Sequence, residues 1–276
     1  MVWKEKVSIT GRNQVHVRTV PFYDDTSVGF ITDFSHSCTM EKLKGLDLEG
    51  KKILDAGTGG CNMTKYLEDW GAEIVSIDVR EDWQKDCKDM TKHSEFITGD
   101  LTDMGFIKAG MFDYVVCNFV VSALSQNKGL LISSALREFY RVLKEAGMLV
   151  IIDYYPFESE SCPGPCDNIQ VELWRLENTV SEMLGKGHLE EYPPAILEKE
   201  LKAIGFSESE SSILLQEVPW PIDLFKEHEE TIKEDIDRIE EDYLRDALLK
   251  KLDDIMKKAR GSVIRSGSIY ELRAKK

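Results

Sequence analysis

Between residues 51 and 155, short apolar runs alternate with amphipathic stretches. The runs are Lys52 to Ala56, Glu73 to Asp78, Ser94 to Thr98, Phe112 to Asn118 and Gly147 to Asp153, and nearly all are continuous Ile, Val, Leu and Phe. Runs of this kind, unbroken by alternate polar residues, predict strands buried on both faces of a parallel sheet. The stretches Cys61 to Asp69, Arg80 to Thr91 and Leu130 to Glu145 predict the crossover helices. The last carries Leu131, Ala135, Phe139 and Val142 at helical spacing and stops before Gly147. Repeated βαβ units of one hand give a doubly wound, mostly parallel α/β sheet.

Outside this block the pattern changes. Residues 1–50 are irregular, with an extended stretch at Val15 to Val20, the turn former Pro21 and a short helix at Thr39 to Lys44, and they read as an N-terminal lid or cover. Residues 51–156 form the core. Residues 157–205 read as a helical insertion and crossover: a Cys/Pro/Gly turn cluster at Ser161 to Cys166, a helix around Ile169 to Leu184, and a helix at Pro194 to Ile204 closed by Gly205. Residues 206–276 complete the same domain. A strand is expected at Ser212 to Val218, and Ile232, Ile236, Ile239, Tyr243, Ala247, Leu248, Leu252 and Ile255 then step by threes and fours as one long C-terminal amphipathic helix. Its acids come early and Lys250, Lys251, Lys257, Lys258 and Arg260 late, as the helix macrodipole favours; its charged face reads as a solvated surface. Ser268 to Ala274 returns as an edge or penultimate strand.

Composition narrows the partners. The 276 residues, 42% of them hydrophobic, suffice for one large core with appended elements. Fifty acidic against thirty-five basic side chains give a net charge of -15, a mean field that repels phosphate backbones and anionic membranes. Nucleic acid is disfavoured and a small-molecule substrate expected. The N-terminal residues hold no apolar run of signal-peptide length, and no stretch is long enough to span a bilayer. Six cysteines in a chain of this length fit a reducing cytoplasm.

The chemistry sits at the strand ends. Ile53-Leu54-Asp55-Ala56 runs into Gly57-Thr58-Gly59-Gly60 and then into a helix. Gly57 and Gly59 allow torsions and a close approach that a Cβ would block, so a ligand can lie against the main chain, with exposed amides at the helix start for a polar group. The second strand ends in Asp78, a carboxylate able to accept from two ribose hydroxyls. The third leads to Asp100-Leu101, a polar and an apolar residue suited to an adenine edge and face. The fourth ends at Asn118-Phe119.

Asp55-x-Gly57-x-Gly59, Asp78, Asp100-Leu101 and Arg141-Val142-Leu143-Lys144-x-x-Gly147-x-Leu149 together resemble a class I methyltransferase, near the ubiquinone/menaquinone-biosynthesis-like (type 11) group. The resemblance covers about residues 50 to 156 and implies a seven-stranded Rossmann-like sheet and S-adenosylmethionine as cofactor. It further implies that Gly57, Thr58 and Gly59 wrap the methionine part, that Asp78 with Val79 holds the ribose side, that Asp100 and Leu101 flank adenine, and that Asn118 and Phe119 complete the rim. Family members often carry a third glycine where this chain has Cys61.

Two other classes stand beside this one. An NAD-dependent oxidoreductase would use Asp78 equally well, but a pyrophosphate cradle wants Gly-x-Gly-x-x-Gly, and Asp55 before the turn would repel phosphates. The same Asp55 favours the cationic amine of S-adenosylmethionine. A non-catalytic, S-adenosylmethionine-binding sensor would keep the same residues and yield no product. Methyl transfer demands alignment above all. Where the acceptor must lose a proton, Asp153 and Tyr154 at the end of the fifth strand and His36 in the lid are the base candidates. Against those roles, Asp153 reads equally as a strand-end cap, Tyr154 as a packing aromatic and His36 as a surface residue. Asn118-Phe119-Val120-Val121 lacks the Asn-Pro-Pro-Tyr prolines that go with methylation of nucleobase amino groups. Cys162 and Cys166 flank a rigid Pro-Gly-Pro turn and lack the further ligands of a structural zinc site, so no metal is expected. Cys38, Cys61 and Cys87 are read as single thiols.

Overall fold

Residues 3–9, 15–21, 43, 45–124, 130–156, 169–186, 191–215, 218–220, 222–260, 264–266 and 268–276 are described by the structure, a computed structural model. Contacts divide the chain into two units, Met1–Leu46 and Asp47–Lys276. In the first, β1 (Trp3–Ile9) and β2 (Val15–Pro21) pair antiparallel, with Trp3 opposite Pro21 and Ile9 opposite Val15. The extended stretch at Val15 thus has a partner that its own pattern did not announce. The helix expected at Thr39 to Lys44 lies, but for Leu43, outside the described residues, as do His36 and the Ser161 to Cys166 cluster.

In the second unit the apolar runs become β3 (Lys52–Ala56), β4 (Glu73–Asp78), β5 (Glu95–Thr98), β6 (Phe112–Asn118) and β7 (Leu143–Tyr154). With β8 (Glu208–Leu215) and β11 (Ile269–Lys275) they form a seven-stranded sheet in the order β5-β4-β3-β6-β7-β11-β8. Neighbours from β5 to β7 are parallel, and β11 runs antiparallel to both β7 and β8. The sheet is therefore doubly wound and mostly parallel, and the terminal strand takes the penultimate position. The strand expected at Ser212 to Val218 starts earlier, as β8, and Val218–Trp220 belongs instead to β9, which pairs with β10 (Ile264–Ser266). Strand order reverses at β3, whose neighbours β4 and β6 lie on opposite sides; the crevice beyond the carboxyl ends of β3 and β6 is where such sheets bind ligands.

The helices that connect these strands are α1 (Asn62–Asp69), α2 (Trp83–Met90), α3 (Val121–Leu124), α4 (Leu130–Val142), α5 (Ile169–Met183) and α6 (Pro194–Ile204). Helix α4 turns Ile132, Ala135, Leu136, Phe139 and Val142 into the core against Leu149 and Ile151 of β7 and Leu197 and Leu201 of α6. Its end comes earlier than the pattern suggests, because Leu143 already pairs with Phe112 as the first residue of β7, which bends at Ala146 (φ 61).

The single long helix expected over Ile232 to Ile255 is two: α7 (Ile222–Ile236) and α8 (Asp242–Ala259). The joint falls among Asp235, Asp237, Glu240, Glu241 and Asp242, which in one continuous helix would crowd like charges over the same turns. The break puts Asp242 in the first turn of α8 and Lys257 and Lys258 in its last, so each charge meets the favourable end of a dipole. Ile236, at the end of α7, and Ile239, in the joint itself, are both buried, whereas Tyr243, expected on the same apolar face, is exposed in the first turn of α8. Helices α5, α7 and α8 pack on one another. Among the described residues no helix is long and apolar enough to cross a membrane.

Candidate functional site

The chain leaves β3 through Gly57 and Thr58, whose amides both donate to the Ile77 carbonyl oxygen at 2.8 and 3.0 Å. This ties the turn to β4. Gly57 has φ +75, and a β-carbon there would collide with Val120 Cγ2, the side chain that follows the end of β6. The glycine thus lets the two arms of the switch point close on each other. Beneath the turn, Asp55 is 1% exposed and its Oδ2 accepts from the hydroxyls of Thr58 (2.7 Å) and Thr64 (2.6 Å). The Thr64 hydroxyl also lies 2.7 Å from that of Ser76 on β4. Burial raises the Asp55 pKa to about 6, against the lowering effect of the two hydroxyls. Asp55 is a strut under the turn, which explains why a carboxylate is tolerated there.

Asp78 closes the other side. Its Oδ2 accepts from the Gly59 amide at 2.9 Å and its Oδ1 from the Arg80 amide at 3.0 Å. The carboxylate bridges the glycine turn and the start of the next connection, and each oxygen retains a lone pair for a further donor. Val79 is 72% exposed, a large apolar side chain beside a strand end. Asp100 Oδ1 accepts from the Thr102 amide and hydroxyl, both at 2.8 Å, and so shapes its own turn. Leu101 is buried in the core cluster, so it supports the turn from beneath.

Some residues escaped the sequence reading. Phe106 is 55% exposed and lies over Gly99, where a β-carbon would fall 2.5 Å from its Cζ; with Val79 it supplies exposed apolar surface beside β4 and β5. Trp83, first in α2, lies against Gly60, with the Arg80 guanidinium 4.7 Å from its ring centroid. A further difference concerns Cys61 and Cys87, read above as single thiols. They form a disulfide with Cα atoms 5.0 Å apart across a separation of 26 residues. Parallel strands β3 and β4 start α1 and α2 from neighbouring positions, and a crossover of that length hides the proximity in the sequence.

At the end of β7, Asp153 is 1% exposed. Its Oδ1 accepts from the Tyr154 amide (2.8 Å) and its Oδ2 from the Ser122 amide (3.2 Å), which fastens the start of α3 to the strand. Burial raises its pKa to about 6 in spite of these amides. The Tyr154 phenol is pushed well above its ordinary pKa, first by burial and then by the Asp153 charge, so it keeps its proton at neutral pH. Phe119, with φ 56 and its amide bonded to the Ile152 carbonyl oxygen at 2.8 Å, lays its ring 5.0 Å from that of Tyr154. Asn118 ends β6 directly before it. The strand ends thus bring together a glycine turn, a carboxylate, apolar side chains and an aromatic wall: groups suited to a ligand with a ribose, a flat ring and a polar tail.

Residues 54–151 match the family model described as "Methyltransferase domain". An uncharacterized methyltransferase of Alkaliphilus oremlandii is 30% identical over 180 residues, 62% of this chain and 79% of the relative. A demethylmenaquinone methyltransferase of Thermotoga maritima is 27% identical over 131 residues, 47% of this chain and 55% of that one. Among solved structures, the YcgJ protein of Bacillus subtilis aligns with TM-score 0.58 at 15% identity, over 87% of this chain and 98% of that chain. A SAM dependent methyltransferase from Archaeoglobus fulgidus aligns with TM-score 0.53 at 15% identity, over 91% and 100%. At such identities the structural likeness is one of fold.

Proposed function

The chain belongs to the class I, S-adenosylmethionine-dependent methyltransferases of the type 11 group, and from that premise we propose that it methylates a small-molecule acceptor held above the carboxyl ends of β3, β6 and β7. The observation that carries the site assignment is the Asp78 carboxylate bonded to the Gly59 amide, which fixes ribose-binding and turn elements to each other. The cofactor supplies a methyl group already activated on a sulfonium. What the chain contributes is alignment and exclusion of water. In this reading Gly57, Thr58 and Gly59 carry the methionine part on their backbone, Asp78 accepts from the ribose hydroxyls, and Val79 and Phe106 cover the adenine with Asp100 at its edge. Asn118, Phe119 and Tyr154 form the wall toward the acceptor. Asp153 acts through α3 as a positioning residue, since its oxygens are engaged by amides.

The acceptor class rests on charge. A net -15 gives a mean field that repels a phosphate backbone, so a small molecule fits better than nucleic acid. Calorimetric titration with S-adenosylmethionine and, in parallel, NAD tests the site. S-adenosylmethionine alone is expected to bind, and Asp78→Ala to weaken it at least about tenfold, the loss of charge-assisted hydrogen bonds. Binding of NAD, or an unaltered affinity in the variant, would remove the assignment. Acceptors, demethylmenaquinone and small amines and phenols among them, are then screened for S-adenosylhomocysteine release; cofactor binding without turnover on any of them would favour a sensor.

A further inference from the structure

We propose that Cys61 and Cys87 are a site of reversible thiol–disulfide modification that sets the affinity of the cofactor loop. The proposal rests on the assignment of that loop to S-adenosylmethionine and adds its control. Cys61 is the last residue of the turn and caps α1 in a left-handed conformation (φ 61), which a non-glycine residue keeps only where its surroundings hold it there. Its backbone is held by the Cys61 amide donating to the Thr58 carbonyl oxygen (3.1 Å) and its own carbonyl accepting from the Lys65 amide (3.0 Å), and its side chain by the bond to Cys87 and the Thr58 hydroxyl, 3.3 Å from Cys61 Sγ. Cys87 sits one helical turn beyond Trp83, so both face the glycine turn from α2: Trp83 against Gly60, and Cys87 Sγ 3.7 Å from the Gly59 carbonyl oxygen. The bond therefore joins the segment after Gly57 to the segment after Asp78. Those are the two halves that hold the methionine part and the ribose. Without it the halves keep only non-covalent ties, the Gly57 and Thr58 amide bonds to the Ile77 carbonyl oxygen, the Gly59–Asp78 hydrogen bond and the Trp83 contact, all of which break and re-form freely.

The chemistry balances with a low-molecular-weight disulfide as oxidant. The two thiols of Cys61 and Cys87 give their protons and two electrons to glutathione disulfide, whose S–S bond breaks into two glutathione thiols as the protein S–S bond forms. Both sulfurs are buried, so exchange proceeds when the turn lifts away from α2. A cofactor seated on the turn opposes that lifting. Oxidation in turn holds the turn in its binding shape and spares the cofactor the cost of ordering it. The two effects are one coupling seen from two sides, and linkage makes them equal.

This equality is the test. The full chain is equilibrated in glutathione buffers from oxidising to reducing, the Cys61–Cys87 bond is scored by peptide mass, and S-adenosylmethionine affinity is measured by calorimetry at each end. The reduced form is expected to bind about tenfold more weakly, within the usual range of coupling between sites. Saturating S-adenosylmethionine should shift the glutathione equilibrium of the pair toward the disulfide by the same factor. Cys87→Ser should bind at the weak value in both buffers. Equal affinities with the bond verified in one buffer and absent in the other would overturn the proposal, as would failure of the bond to form at any glutathione ratio, or a redox response that survives in Cys87→Ser. If neither form binds S-adenosylmethionine, the loop assignment falls along with the control; binding that ignores redox state removes the control alone.

Discussion

Asp55 and Asp153 are both buried carboxyls with pKa raised to about 6, one fastened by hydroxyls and the other by amides. The sign of the consequence follows from where protons reside. Between pH 3.8 and about 6 the folded chain holds protons that the unfolded chain has released, so each group's contribution to stability falls as pH rises through that window and is level above it. Asp153→Asn removes one such titration. Its unfolding free energy relative to the native chain should shift in the variant's favour by on the order of 3 kcal/mol from pH 4 to pH 6.5 and stay constant thereafter, as read from urea transitions. A difference flat across that range would mean that the carboxyl titrates normally. Gly57 offers a packing test. Gly57→Ala meets Val120 and must keep φ +75, so a loss of about 2–4 kcal/mol is expected, partly recovered in combination with Val120→Ala. Asp78 was legible because a polar residue closing an apolar run can only sit at a strand end. Phe106 was not, because an aromatic in a turn-rich segment carries no period to show which neighbour it covers.

Helices and strands differ in how much of themselves they print in the sequence. β3, β4 and β6 have the bounds read from their apolar runs, since burial on both faces keeps most of their interior positions apolar, the buried Asp55 and Ser76 being bonded to hydroxyls. The α7/α8 joint was illegible: Ile236 and Ile239 continue the spacing across it, and neither Gly nor Pro marks it. Only the acid cluster hinted at the break. The packing of α5 on α8 separates two kinds of interaction. Glu172 accepts from Lys251 at 2.8 Å and Lys258 at 2.7 Å, but the lysines are about half exposed, so water and salt screen the pairs. Leu252 is fully buried. Glu172→Gln should therefore cost under about 1 kcal/mol and Leu252→Ala about 2–4 kcal/mol in chemical denaturation. The reverse ranking would mean that charge holds this layer together.

Across the whole molecule, the mostly parallel, doubly wound character of the sheet followed from alternating βαβ units, while the order of its strands is known only from the structure. The place of β11 did not follow from the sequence, because local pattern cannot say whether a final strand caps an edge or enters the sheet. It enters, lying between β7 and β8 and hydrogen-bonded to both along Ile269–Lys275. That position has a consequence in time. A ribosome releases β7 and β8 long before residues 269–275 emerge, so for that interval both strands present open backbone edges with no native partner. Such edges template pairing with other chains, and slow, non-local closure lengthens the exposure. A chain stopped after Ala259 should accordingly sediment on expression, and adding back a peptide of residues 264–276 during refolding should restore part of the soluble yield. Nascent chains of this protein thus spend their riskiest moments with a gap beside the edge strand, and the strand that seals it is made after the other six of its sheet.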